Sequence, residues 1–388
     1  MTKTQRLFDI DAKTCDFDAV VLSCEAREDG GFDVVLDKTA FFPNEGGQAC
    51  DTGTLGGVAV LSVDEHGGVI VHTLDAALSV GETVHGAIEW EPRLRKMQNH
   101  TGEHIISGLI FKLYGYNNVG FHLGKDDVTA DFDGELTEAD IRRIERLSND
   151  VVFACRAVNA TYPEPCELEK MQYRSKLDIS EGVRIVEIEG VDKCACCAPH
   201  VSNTGEVGLI KILDFIRYKG GVRVHIQCGL DALDDYNARC GQIRRVSMAI
   251  SAKQDEIAEG VERLLEEQSR LRGEIASLKR ELLAYKLEKL EYTDKSICLF
   301  DDMTDMLAAR NFVNEALLKT ARICALFCGN DDAGYKYIMA SNTVDLKAAM
   351  AQINGAIGGK GGGSAKMIQG SCTAKRDQIE AFFADGNI

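Results

Sequence analysis

The sequence is short of several things, and each shortage narrows what the protein can be. Positive charge is scarce: 44 Lys and Arg stand against 61 Asp and Glu, a net charge of −17. Non-specific nucleic-acid binding needs fixed positive charge, so any such contact must come from basic residues gathered locally. Long apolar runs are missing too. The greasiest stretches, "HIISGLIF" and "RICALFCG", fall well short of the roughly 20 residues that span a membrane. The opening "MTKTQRLFDIDAKT" has no apolar core, which argues against a secretory signal. The expectation is a soluble, cytoplasmic chain with no membrane partner. The 14 cysteines are scattered rather than spaced as a disulfide framework. Cys24, Cys155, Cys324 and Cys328 sit among apolar neighbours and read as buried, inert thiols.

Local segregation of charge is present. Residues 346–376 hold five Lys or Arg and no acid, and "KILDFIRYKGGVR" holds four basic residues against one acid. Much of the acid lies elsewhere, as in "DEIAEGVERLLEE".

Four regions are expected along the 388 residues. Residues 1–90 alternate apolar and polar positions between Gly-Gly and Asp-Gly turns, the pattern of a small antiparallel β-barrel. "FFPNEGGQACDTG" within it is a glycine-rich loop. At "EWEPRLRKMQNHTGEHIISGLIFKLYG" the period becomes helical, with Pro92 in the first turn and Gly115 as the stop. Strands around "VGFHLGKDDVTADFDG" and "VRIVEIEG", and a helix capped by Thr137, make 91–228 an α+β domain. Residues 229–291 are helical and charged. Ile243, Ile250, Ile257, Leu264, Leu271 and Leu278 recur every seven residues, with Val261, Ile275 and Leu282 in a companion row. Ser247, Gln254 and Gln268 also occupy that row and argue against one long parallel zipper. "SAKQDE" at 251–256 is the expected break of a helical hairpin, and the region reads as a solvated spacer or a dimer contact. Residues 292–388 alternate strand- and helix-like segments as an α/β domain around "GGKGGGSAKMIQG". Six glycines in 358–370 suit an exposed, backbone-rich loop rather than a core strand.

One constellation carries chemistry. His100 and His104 lie four apart on the expected helix, so both imidazoles share one face where a single ion can bind them. Glu103 between them does not stand where a metalloprotease motif puts its glutamate; Thr101 follows the first histidine instead. A second pair must complete the site. Cys196 and His200 are also four apart, and imidazole with thiolate suits zinc. Cys194 and Cys197 compete as a C-x-x-C, the pattern of a redox dithiol or a zinc knuckle. On the residues alone the choice stays open.

Taken together these segments resemble a known family. H-x-x-x-H followed by D-x-x-x-C-x-x-x-H-V-x-x-T-G-x-V-G, from Asp192 through Gly208, is similar to the editing domain of alanyl-tRNA synthetase and its freestanding AlaX relatives. "FFPNEGGQACDTG" resembles that family's barrel loop, and "GGKGGGSAKMIQG" the glycine-rich domain closing alanyl-tRNA synthetases and DHH-type phosphoesterases. The order of segments is that of a long-form AlaX protein. The resemblance implies zinc on His100, His104, Cys196 and His200, and leaves Cys194 and Cys197 as non-ligands. It implies hydrolysis of alanine tRNA carrying serine or glycine, since an alanine pocket discriminates poorly against near-isosteres. Thr101 is the expected reader of the serine hydroxyl, and His122, where synthetases carry glutamine, the expected orienter of water. Gly46, Gly47 and Gln48 are expected near the site. Lys360, Gly361, Gly362, Gly363, Lys366, Lys375 and Arg376 are expected on tRNA phosphates, with Arg217, Lys219 and Arg223 as a second basic candidate. A homodimer through the helical region or the C-terminal domain is the other expected partner. The chain departs from the synthetase C-G-G-T-H at Cys197-Ala198-Pro199, a stiffer, bulkier loop. The non-enzymatic alternative is a tRNA-binding protein whose four ligands hold a structural zinc. Editing of another tRNA, and thiol–disulfide exchange, are further rivals.

Overall fold

A computed structural model describes residues 3–28, 30–124, 128–175, 182–302 and 306–384. Residues 125–127 of the strand-like stretch, Asp305 and the last four residues of the C-terminal region lie outside the described residues. The chain is mixed α+β and divides into two units, 1–245 and 246–388.

In the first unit, strands Asp16–Ala26, Phe32–Leu36, Val69–Leu74, Val58–His66, Gly53–Leu55 and Thr83–Ile88 close in that order into an antiparallel barrel. Alternation puts Val21, Val34, Leu36, Leu55, Val63 and Ile70 inside. Phe41 and Phe42 of the glycine-rich loop are also fully buried there, so the loop is anchored at its start. Asp51 closes its end: Oδ2 accepts from the Phe42 amide at 2.7 Å, and the Asp51 amide donates back to the Phe42 carbonyl at 3.0 Å.

Helix α1 (Trp90–Tyr114) follows the barrel, with Pro92 in its first turn and Gly115 ending it at a left-handed φ of 74°. It is buried on nearly every side, and its buried residues include Arg93, Gln98, Asn99, His100, Thr101, Glu103, His104 and Ser107. Polar side chains buried on one helix must be hydrogen-bonded or they cost stability. Arg93 reaches into the barrel, bonding Asp51 through Nε at 3.0 Å and the Ala12 and Ala40 carbonyls at 2.9 and 2.6 Å. Asn99 accepts from the Cys228 amide at 2.8 Å and donates to Asp231 at 2.6 Å.

Around α1 lie two antiparallel sheets. One runs Ile210–Tyr218, Gly221–Cys228, Val128–Phe132, Asn118–Leu123; the other Val158–Thr161, Ile185–Ile188, Asp192–Ala195. Helix α2 (Glu138–Phe153) starts in a capping box between Thr137 and Asp140, and α3 (Pro165–Leu168) is one short turn. Cys155, expected to be buried, is exposed: it takes a left-handed turn (φ 47°) that ends α2, and Cys24 is half-buried. At Gly108 a side chain would strike Asp192 and the Val191 carbonyl, so only glycine lets α1 approach the strand that carries Asp192.

Helix α4 (Leu230–Ile250) leads into the second unit, where Ser251 turns at φ 52° before α5 (Ile257–Glu288) begins. A five-stranded sheet follows in the order Ile297–Asp301, Ile323–Asn330, Gly334–Ser341, Met367–Cys372, Gly359–Gly363. Only its first pair is parallel, so the expected α/β alternation resolves into a mixed, mainly antiparallel sheet. Helix α6 (Met306–Ala316) packs on one face with Leu326 and Ile338; α7 (Leu346–Ile357) and α8 (Arg376–Ala384) pack on the other with Phe327 and Tyr337. Among the described residues no helix is long and apolar enough to cross a membrane.

The glycine run corrects another expectation. Gly359–Gly363 is an edge strand, not a loop. Tyr337 is the cause: its ring lies fully buried beneath the paired Gly361 and Gly370, and its hydroxyl donates to Asn354 Oδ1 at 2.6 Å. Any side chain on the paired glycines would meet that ring or hydroxyl, while the aromatic covers the strands from below.

Candidate metal centre

Four donors converge at the middle of α1. His100 and His104 project from successive turns, and Cys196 and His200 arrive on the segment after strand Asp192–Ala195. One ligating atom from each lies within 4.8 Å of the others. Cys196 Sγ is 3.5 Å from His100 Nε2 and 3.4 Å from His200 Nε2, and the His200 ring centroid is 4.9 Å from that of His100 and 4.7 Å from that of His104.

The other nitrogen of each imidazole is tied. His100 Nδ1 meets Gln48 Oε1 at 3.0 Å, His104 Nδ1 meets Asp192 Oδ2 at 3.0 Å, and His200 Nδ1 meets Thr101 Oγ1 at 2.9 Å. Such partners fix tautomer and ring orientation and leave Nε2 facing inward. The clamps come from the barrel loop, from α1 itself and from the three-stranded sheet. Gln48 reaches His100 because Gly46 (φ 63°) and Gly47 (φ 81°) turn tightly, and a side chain on Gly47 would sit 2.9 Å from the Phe121 carbonyl.

The electrostatics differ from donor to donor: burial would lower His104, but Asp192 and Cys196 raise it well above the ordinary imidazole value. Burial alone would raise the Cys196 thiol, but the neighbouring His100 and His200 rings and hydrogen bonds hold it well below its ordinary value. Burial would also raise Asp192; hydrogen bonds from His104 and from Arg174, at 2.7 and 2.8 Å, hold it at about 2. Burial drops His200 to about 3, keeping its ring neutral and free to coordinate. Three imidazoles and one thiolate in a buried space therefore fit a borderline-soft metal ion.

The three cysteines of the motif are not equivalent. Cys196 joins the histidines; burial pushes the Cys194 and Cys197 thiols up. Cys194 Sγ lies near His104 and Asp192, within the same 4.8 Å spread. Cys197 packs toward Gly46.

A cavity of about 390 Å³ opens onto the centre, lined by Glu45, His100, Glu103, Phe121, Arg184 and Cys196 among others. Thr101 is not on its wall. It is fully buried, and its hydroxyl is spent on His200 and on the Val201 amide. His122 is exposed, and strand alternation gives its neighbour Phe121 the site-facing side, 4.8 Å from the His100 ring. The structure does not bring His122 to the donors. Glu103, which sequence reasoning passed over, accepts from Ser107 and Asn118 on the cavity wall. Its one signal was position, beside the i, i+4 histidines on a helix buried all round. Gln48 Nε2 is buried with no partner.

Comparison with known proteins bears on this centre. Residues 183–264 match the family model for the threonyl and alanyl tRNA synthetase second additional domain, and residues 11–92 that for class II (A) tRNA synthetases. An alanine–tRNA ligase of Ignicoccus hospitalis is 30% identical over 97% of this chain and 42% of its own length. One from Methanococcus maripaludis is 27% identical over 98% of this chain and 43% of its own. The alanyl-tRNA editing protein Aarsd1 of Danio rerio is 36% identical over 51% of this chain and 52% of its own. The chain is therefore related to alanine–tRNA ligases over nearly its whole length and to an alanyl-tRNA editing protein over half of it. It spans about two fifths of the length of the ligases it matches.

The basic residues expected on tRNA are dispersed. Lys360 stands on the glycine edge strand, in one cross-strand row with Ser371 and Lys336. Lys366 lies in the turn after that strand. Arg376 begins α8 with its guanidinium 4.7 Å from the Phe300 ring and 2.8 Å from Glu380, with Lys375 just before it. Gly361 and Gly363 are hemmed in by the neighbouring strand, while Gly362 faces open space. Of the second basic candidate, Arg223 is neutralised by Asp131 at 2.6 and 2.8 Å, and Arg217 lies 3.6 Å from Glu135. Lys219 sits over the Tyr218 ring at 5.0 Å.

Proposed function

We propose that this chain is a trans-editing hydrolase that deacylates alanine tRNA mischarged with serine or glycine, at a zinc site made by His100, His104, Cys196 and His200. The observation that carries the reading is the convergence of those four donors on a cavity, with every histidine clamped through Nδ1. Zinc held there would polarise the ester carbonyl or anchor the aminoacyl group. The protein's own groups do the rest. Gln48, Thr101 and Asp192 hold the imidazoles rigid. Thr101 thereby acts through His200, and Gln48 through His100. Glu103 brings an acceptor for the substrate's ammonium group. Water attacks the ester carbon, and the bond from that carbon to the ribose oxygen breaks. One proton of the water passes to the ribose oxygen as it leaves as a hydroxyl, and the other is released to solvent as the amino acid departs as a carboxylate. His122 takes no part, so His122→Ala should keep the full rate.

Under this reading 1–90 is the barrel, 91–228 the editing domain, 229–291 the spacer and 292–388 the tRNA-binding domain. Lys336, Lys360, Lys366 and Lys375 would meet phosphates over the glycine strand, where no side chain blocks approach at Gly362. Replacing Lys336 and Lys360 by Glu should weaken tRNA binding and flatten its salt dependence by about two phosphate contacts.

One observation favours a second reading. Four protein donors fill a tetrahedron, as in structural sites, and such a chain would bind tRNA without hydrolysing it. The test is deacylation of seryl-, glycyl- and alanyl-tRNA(Ala) by the intact chain and by Cys196→Ala, with metal content measured on both. Hydrolysis of the first two, lost with the metal in Cys196→Ala, supports editing; metal-replete protein without hydrolysis selects the structural reading.

A further inference from the structure

Thr101 is buried and spent on His200, so a serine hydroxyl in the cavity needs another reader. Most polar groups on the cavity wall are already engaged. Arg6 bonds Glu65 at 2.6 Å, and Tyr162 donates to Asp9 at 2.8 Å. Arg174 holds both oxygens of Asp192, and Arg184 donates to the Ala198 and Cys196 carbonyls at 2.8 and 3.1 Å. Glu103 is taken by Ser107 and Asn118. Glu45 differs. Its Oε2 is sealed from water without a hydrogen-bond partner, alone among buried side-chain polar atoms of the described residues on this wall.

The barrel loop holds Glu45 there. Glu45 and Gln48 face each other across Gly46 and Gly47, with paired backbone bonds of 3.2 and 3.0 Å. The turn that sets Gln48 on His100 therefore also fixes Glu45. Cys197 closes the space beside it, since a side chain on Gly46 would come within 3.1 Å of the Cys197 sulfur. Burial raises the Glu45 carboxyl above its ordinary value; Arg6 and Cys197 oppose this, and Glu65 and Asp9 add to it. A sealed, unbonded carboxylate oxygen costs stability until a donor reaches it. The outer torsion of glutamate is soft, so either oxygen can turn to the wall.

His100, His104 and Cys196 line the same space of about 390 Å³. An aminoacyl ester with its carbonyl at these donors carries its β-carbon two bonds from the reacting carbon. Serine places a hydroxyl there, alanine a methyl and glycine nothing. The hydroxyl can donate to the carboxylate. The methyl cannot, and it leaves a buried acceptor unpaired, which rejects an analogue far more strongly than apolar contact does.

We propose that Glu45 is a specificity-determining residue, its carboxylate accepting a hydrogen bond from the β-hydroxyl of a seryl ester. This rests on the substrate class of the hydrolytic reading, but its test does not need turnover. Serine, glycine and alanine joined by an amide to 3′-amino-3′-deoxyadenosine report recognition alone, measured by calorimetry on the metal-loaded chain. The serine amide should bind at least about tenfold tighter than the alanine amide. Binding of neither, or of both equally, overturns the proposal. Glu45→Ala should erase the preference, and Glu45→Gln, which keeps an acceptor without the charge, should lower it at least about threefold. An undiminished preference in either variant overturns it. So does an equal loss for the serine and glycine amides in Glu45→Ala, because glycine has no hydroxyl to lose. A serine preference that depends on Glu45, in a chain that leaves seryl-tRNA(Ala) intact, would overturn the hydrolysis and uphold the assignment of Glu45.

Discussion

Residues 1–245 contain all eight histidines of the chain, and residues 246–388 contain none. The first unit has 40 acids against 26 bases, a net −14; the second has 21 against 18, a net −3. The difference separates two kinds of work. In the first unit polar groups are buried and locked to one another, as around His100, His104 and Arg93. In the second, bases stand on an exposed sheet face and α5, with an apolar core beneath. The histidines and the donor cluster they form belong to the first unit; an open apolar stripe along α5 and the row of Lys336 and Lys360 belong to the second.

The contrast is broken most sharply at the metal centre. Cys196→Ala should lose bound metal and lower hydrolysis by at least about 100-fold, while hydrogen exchange in 292–384 stays unchanged. Loss of protection in the second unit as well would mean that the two are coupled. The next effect is structural. Arg93→Met leaves Asp51 buried without its partner and should cost about 3–5 kcal/mol in the first unit alone, measured by denaturation followed with unit-resolved hydrogen exchange.

A pH effect should also be confined to the first unit. Burial holds His72 at about 4, against an ordinary 6.5. Between those values the unfolded chain takes up a proton that the folded barrel refuses. Stability therefore falls as pH drops from 6.5 toward 4, by at most about 3 kcal/mol. His72→Gln should flatten that slope in urea titrations; an unchanged slope would remove His72 as its cause. Smallest is Gly361→Val, which displaces the Tyr337 ring and should cost about 1–3 kcal/mol in the second unit only. An unshifted midpoint there would mean that the edge strand tolerates side chains.

Much of this was legible in order along the chain. Pro92, Thr137 and Gly115 mark helix ends because caps and φ-locked residues act locally, and the i, i+4 histidines follow from helical geometry. Less visible was what depends on distant segments meeting. The glycine-rich stretch 359–363 looks like a loop until Tyr337 is placed beneath it. Thr101 looks like a pocket wall until His200, 99 residues away, takes its hydroxyl. Arg93 gives no hint in "EPRLR" that it will be fully buried in the barrel. His122 and Phe121 differ by one position, and strand pairing alone decides which of them faces the donors.

The three clamps on the imidazoles have a consequence for how the protein comes together. Gln48, Thr101 and Asp192 belong to a barrel loop, a helix and a sheet strand, and none is in place until its own element has docked. Nascent chains in which any one of the three has strayed would present a mispointed imidazole and hold an ion weakly. The metal content of the purified chain would then report, in one measurement, whether three separately formed pieces have reached their stations.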